Sequence, residues 1–250
     1  MAEKKIIEHT HEHTHDHTSE HVHTPIEAIA QAPIYTFDTT STIKKSDFIS
    51  IDYTGTLQST KMIFDTTRAD VAAKNNMQSE RPHGSLILKV GEGQLLKALD
   101  EFIIGKTTGS YHLDIPAEHA FGKKNAKLLR LISLNEFKKH KIQPYPMLEV
   151  DLDGQRGIVR TVNGGRVIVD FNHPFASQDI SYDITINGIL TDKKQIVSAV
   201  LNIFQLPVKE LTLEEGKAVV TFTSPIPAEY TDMLKTEFIR LTEIKEVEFK

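Results

Sequence analysis

Five short motifs stand in a fixed order between residues 53 and 176, and together they limit what this chain can fold into. They are Tyr53-Thr54-Gly55, Phe64-Asp65-Thr66-Thr67, Val90-Gly91-Glu92-Gly93-Gln94-Leu95-Leu96, Ala120-Phe121-Gly122 and Val169-Asp170-Phe171-Asn172-His173-Pro174-Phe175-Ala176. The stretches between them alternate strand and turn. Phe48, Ile49, Ile51 and Tyr53 lie in a β-favouring run that stops at Gly55. Residues 58–61 read as a hairpin turn into Met62-Ile63-Phe64, residues 67–74 as a short helix ended by Asn75 and Asn76, and residues 85–90 as a strand. Leu95, Leu96, Leu99 and Phe102 recur at helical spacing, which predicts a helix over 94–102 stopped by Gly105. A further strand over 110–115 halts before Pro116.

Residues 123–170 read as a small unit of their own. Ser133, three residues before Glu136, is a helix-start signature. Asp153-Gly154 and Asn163-Gly164-Gly165 are tight-turn signals between the β-rich runs 148–152, 157–162 and 166–171. Residues 180–186 form another strand. After Gly188 the pattern is helix (194–204), two strands (209–213 and 218–223) around Glu215-Gly216, helix (229–241) and a last alternating strand (244–249). These last sixty residues predict an α/β domain near the lower size for independent folding. A terminal strand of this kind can pair with a second copy, so a homodimer through this domain is expected.

The first 45 residues differ from the rest. Histidine alternates with threonine and acid from Glu8 to His17, and such a segment cannot bury enough apolar surface to offset its ordering entropy. A disordered arm over 1–45 is therefore expected. Its seven histidines, His9, His11, His13, His15, His17, His21 and His23, can chelate Ni²⁺, Zn²⁺, Cu²⁺ or Co²⁺ as neutral imidazoles. The plain alternative is a solvated, pH-sensitive tail. There are no cysteines, which excludes disulfides and thiolate catalysis. A net charge of −5 gives no pull toward nucleic acid or an anionic membrane, and neither partner is expected. No run approaches the roughly 18 apolar residues of a membrane span, and the first thirty residues lack a signal's apolar core. A cytoplasmic location follows by default. No Walker loop, dinucleotide-binding glycine motif or nucleophile elbow is present.

Taken in order, the five motifs resemble the FKBP-type peptidyl-prolyl cis-trans isomerases of the SlyD kind, in their long archaeal form. The resemblance implies an α+β fold: an antiparallel β-sheet wrapped on a short helix, with an inserted small β-rich domain and a C-terminal α/β domain. The implied domains are an isomerase domain over 46–122 completed by a return strand over 171–191, an "insert-in-flap" chaperone domain over 123–170, and the C-terminal domain over 192–250. Tyr53, Phe64, Leu95, Leu96, Leu99, Phe121 and Tyr182 match the family's pocket-lining positions, and Asp65 matches the acid beside the pocket. Tyr53, Asp65 and Phe121 are the implied catalytic residues. Tyr53 is expected to hydrogen-bond Asp65. The resemblance implies catalysis without a cofactor, and a chaperone surface with candidate contacts at Leu128, Leu129, Leu131, Ile132, Leu134, Phe137, Ile142, Tyr145 and Met147. Unfolded or nascent polypeptides containing proline are the implied partners.

Two departures from the family pattern stand out. Leu99 occupies a position where the family often has tryptophan, and Ala120-Phe121-Gly122 replaces Ala-Tyr-Gly, so a phenolic hydroxyl is missing. Both favour an alternative, a holdase chaperone with weak or vestigial isomerase activity. The histidine arm raises a second alternative, a metal-handling protein. Singly, each site residue has a bland reading: three leucines on a helical face are ordinary packing, and Asp65 is a turn acid.

Overall fold

The computed structural model describes residues 6–8, 35–78 and 83–250. The chain runs β1 (Ile6–Glu8), β2 (Phe37–Asp38), β3 (Phe48–Leu57), β4 (Ile63–Thr66), α1 (Ala69–Lys74), β5 (Leu86–Lys89), α2 (Lys97–Ile103) and β6 (Gly109–Ile115). It continues through β7 (Leu129–Ser133), α3 (Leu134–Lys139), β8 (Glu149–Leu152), β9 (Gln155–Asn163), β10 (Arg166–Asp170) and β11 (Ile180–Leu190). The last elements are α4 (Lys193–Ile203), β12 (Val208–Glu214), β13 (Lys217–Phe222), α5 (Ala228–Thr242) and β14 (Glu246–Phe249). Among the described residues two compact units result, one of residues 6–8 with 121–178, the other of residues 35–78 and 83–120 with 179–250.

In the larger unit, β11 is the organising strand. It pairs antiparallel with β3 along nearly its whole length and also with β2 and β6, while β4 and β5 add to β3. Alternate residues of β11, from Ile180 through Tyr182 and Ile184 to Ile186, are buried, as a strand with one face on a core requires. A bulge between Ile186 and Gly188 lets β2 join it. A side chain at Gly188 would put a Cβ 2.6 Å from that of Phe37, so glycine is what permits this approach. Residues 35–45, expected to belong to the arm, are part of the fold because their apolar side chains have places to go. Ile43 is buried and Tyr35 and Phe37 pack on the core.

The C-terminal elements form a three-stranded sheet, β12-β13-β14, in which the β13–β14 pair is parallel and is bridged by α5. The Asp192 carboxylate caps α4 by accepting the Gln195 N–H. The core beneath this sheet is shared with the six-stranded sheet built around β11. Val197, Val200, Leu201, Val220 and Phe238 are buried together with Phe48 of β3 and Leu190 of β11.

The smaller unit is a five-stranded sheet in the order β1-β8-β9-β10-β7, with α3 anchored by Phe137. Ser133 accepts the Asn135 N–H and starts α3, as the sequence pattern predicts. Strand β7 was not anticipated, since the short apolar run Leu128-Leu129-Arg130-Leu131-Ile132 is ambiguous between strand and helix. The strand β1 pairs with β8, with Ile6 opposite Leu152 and Glu8 opposite Val150.

Helix α2 begins at Lys97, three residues after the predicted start. The reason is a tied turn ahead of it. The Asp100 carboxylate accepts the Gly91 N–H at 2.9 and 3.1 Å, and the Gln94 side-chain oxygen accepts the Lys89 N–H at 2.9 Å. These bonds hold residues 89–94 in a loop and leave Leu95 and Leu96 at the helix entrance.

Candidate active site

Opposite Tyr182 on β11 stands Gly55 on β3. The absent side chain at Gly55 is the space that the aromatic rings fill: a Cβ there would meet Phe64 Cζ at 2.8 Å and Tyr182 Cε1 at 2.9 Å. Tyr182 meets Tyr53 and Phe64 edge-on, with ring centroids 5.6 and 5.8 Å apart. Such edge-to-face pairs are favoured by the ring quadrupoles. Tyr53 donates its hydroxyl to Asp65 Oδ2 at 3.0 Å. Three aromatic rings and one carboxylate are thus brought together by three strands.

The two threonines after Asp65 hold it there. Tyr53 N–H donates to Thr67 Oγ1 at 2.9 Å, Thr66 Oγ1 donates to the Tyr53 carbonyl at 2.9 Å, and the Thr54 and Thr66 hydroxyls are 2.9 Å apart. Both Thr66 and Thr67 are buried. Hydroxyls on stiff, β-branched side chains therefore rivet the short strand β4 to β3. Sequence reasoning noticed the pair but assigned it no role. Burial, and after it the nearby charges of Asp65 and Tyr53, push the Tyr182 phenol well above its ordinary titration range. It stays a neutral hydroxyl in the cluster.

The other expected pocket residues divide. Leu99 is fully buried on α2, and Leu95 and Leu96 are half-buried in the segment that enters it. Phe121 belongs to the smaller unit, where it stacks on His173 at 4.3 Å between centroids and lies 5.7 Å from Phe175. The Phe171-to-Ala176 motif is thus an aromatic clasp at the root of the insert.

In the insert, the expected chaperone contacts separate into surface and core. Leu129, Leu131, Tyr145 and Met147 are exposed, Leu131 at 59% and Met147 at 66%. Phe137 is 0% exposed and Ile142 is buried, while Ile132 and Leu134 pack against that core. Those four are corrected to core residues, because a small sheet with one short helix needs them to fill its interior. Ile168, not anticipated, adds to the outer face directly opposite Leu131. Alternation along β10 was the signal for it.

The seven arm histidines lie outside the described residues. Among the described residues no group of His, Asp and Glu is arranged to hold a metal ion. No helix among the described residues is long and apolar enough to cross a membrane.

Comparison with known proteins agrees with this geometry. Residues 39–136 match the family model for the FKBP-type peptidyl-prolyl cis-trans isomerase, and residues 130–175 match that for the FKBP26 IF domain. The chain is 26% identical over 149 residues to a short-type peptidyl-prolyl cis-trans isomerase of Methanocaldococcus jannaschii, covering 59% of this chain and 94% of that protein. It is 29% identical over 116 residues to an FKBP-type 16 kDa peptidyl-prolyl cis-trans isomerase of Escherichia coli, covering 44% and 77%. A probable FKBP-type 16 kDa isomerase of Pseudomonas fluorescens is also 29% identical, over 103 residues. With the motifs, the sheet built around β11, the Tyr53–Asp65 pair and these matches in agreement, the chain belongs to the FKBP-type peptidyl-prolyl cis-trans isomerases.

Proposed function

We propose that this isomerase acts on unfolded and partly folded polypeptides, with the insert holding the client and the aromatic cluster turning its X–Pro bonds. The carrying observation is the packing of Tyr53, Phe64 and Tyr182 over Gly55 with Asp65 bonded to Tyr53. Rotation about a peptide bond faces a barrier of roughly 18–20 kcal/mol because resonance must be broken. A site lowers it only by binding the twisted amide better than either planar form. The twisted amide has lost part of its dipole, so water solvates it less well and an apolar wall favours it. Asp65, held by Tyr53, offers a fixed negative charge at the edge, suited to orienting the client backbone or meeting the twisted carbonyl.

Supporting the client-holding role, Leu129, Leu131 and Ile168 lie on the outer face of β7 and β10, and among the described residues β7 is the last strand of its sheet. Replacing residues 124–168 by a short loop tests the division of labour. Isomerisation of a short prolyl peptide is expected to persist while catalysis of proline-limited protein refolding falls. An equal fall in both contradicts it. The holdase alternative keeps a specific support in Phe121 and Leu99, and proline-limited refolding separates it: a holdase suppresses aggregation without accelerating the slow phase.

The histidine arm is proposed to bind Ni²⁺, Zn²⁺, Cu²⁺ or Co²⁺ independently of catalysis, in keeping with its seven imidazoles. Cytoplasmic residence and dimerisation through β14, the last strand of its sheet among the described residues, complete the proposal.

A further inference from the structure

The last turn of α5 reaches the loop that carries Leu95 and Leu96, and it does so through two charged contacts. Arg240 lays its guanidinium on Glu92 in a two-point fork, Nη1 to Oε1 at 3.1 Å and Nη2 to Oε2 at 2.7 Å. Glu237, one turn earlier on α5, accepts from the same guanidinium at 2.7 and 2.8 Å and keeps the fork aimed. Next to it, Lys89 runs from the end of β5 beneath α5, its side chain only 5% exposed. Its ammonium donates to the Leu241 carbonyl at 2.8 Å and to Glu243 at 3.2 Å, and lies 5.6 Å from the Phe48 ring centre. The Leu241 carbonyl is one of the acceptors that a helix leaves unmatched at its C-terminus, where a cation is favoured. Glu243, left-handed at φ 57°, ends the helix at this point.

Lys89 and Glu92 bracket the start of the tied loop 89–94. From inside, that loop is closed by Gln94 and Asp100. From outside, α5 supplies both of its charged anchors. We propose that the C-terminal domain is a positioning element of the isomerase: through Arg240 and Lys89 it sets the loop that presents Leu95 and Leu96 to the prolyl side chain. This explains why a segment with no part in the aromatic cluster shares a continuous core with the isomerase sheet. Arg240 and Lys89 are positioning residues and do not touch the client. The inference rests on reading Leu95 and Leu96 as wall residues.

Steady-state isomerisation of a prolyl peptide by the full chain tests it, using Glu92→Ala, Arg240→Ala, the double variant, Arg240→Lys and Leu96→Ala. Arg240 is half exposed, so its removal leaves the fold intact, and thermal unfolding of each variant verifies that. Each clamp single is expected to raise KM about threefold with little change in kcat, as a partly exposed ion pair permits. The double variant is expected to be no worse than either single, because both remove one interaction, and Arg240→Lys to recover part of the loss. Leu96→Ala is expected to raise KM further. An unchanged KM in the clamp singles, or additive losses in the double variant, overturns the proposal while Leu96→Ala still raises KM. An unchanged KM in Leu96→Ala overturns the wall reading and the proposal with it.

Discussion

Gly55 shows how much of the site is carried by one missing side chain. Gly55→Ala places a methyl 2.8 Å from Phe64 and 2.9 Å from Tyr182, closer than packed carbons stand, so the rings must shift. We expect it to cost about 1–3 kcal/mol of stability through overpacking and to lower kcat/KM on the order of tenfold by displacing the rings; denaturant unfolding and a peptide assay read the two effects. Tyr53→Phe removes the hydroxyl's bond to Asp65 and keeps the ring. It is expected to lower kcat/KM by about threefold to tenfold, the worth of one hydrogen bond, with unfolding little changed. Phe121→Tyr restores the hydroxyl that the family pattern has, and a faster proline-limited refolding reaction is the expected result. An unchanged rate shows that this hydroxyl has no role here.

At the scale of elements, periodicity exposed most strands because their faces differ in exposure, as the alternation on β6 and β11 shows. It failed where side-chain hydrogen bonds decide the backbone. The start of α2 depends on Asp100 and Gln94 reaching back to Gly91 and Lys89, which no hydrophobic pattern encodes. The clustering of Tyr53, Phe64, Asp65 and Tyr182 was readable only through motif order. Their spacing spans more than 120 positions and gives no local signal. Asp170 makes an element-scale prediction. Burial alone raises its pKa, but hydrogen bonds from Asn172 and Arg160 outweigh that and hold its carboxyl below the ordinary range. A lowered folded-state pKa means this stabilisation is complete above the unfolded value of roughly 4 and is lost as pH falls through the lower folded value. Amide exchange of residues 129–170 is therefore expected to accelerate below about pH 4, and Asp170→Asn to destabilise the insert at neutral pH.

For the whole molecule, the sequence suggested separate modules, and the structure divides the chain differently. The insert is a compact unit of its own, but the C-terminal segment shares its core with the isomerase sheet through Phe48 and Leu190. Composition could not reveal this, since a residue buried at a shared core looks the same as one buried inside a domain. Truncation after Asp192 is expected to expose that core and to lower the thermal midpoint of the isomerase sheet, measured by calorimetry. The arm is expected to behave oppositely. Titration with Ni²⁺ should show binding by the full chain and its loss on deletion of residues 9–34, which spares β1, with isomerisation of a prolyl peptide equal in both.

An apolar aromatic site that turns prolyl bonds is the centre of this molecule's function. The most direct measurement is the rate of a proline-limited refolding reaction with catalytic amounts of the full chain, beside the Gly55→Ala variant. The account predicts acceleration of the slow phase by the native chain and a much smaller one by the variant. A slow phase left unchanged by the native chain, or accelerated equally by both, contradicts it.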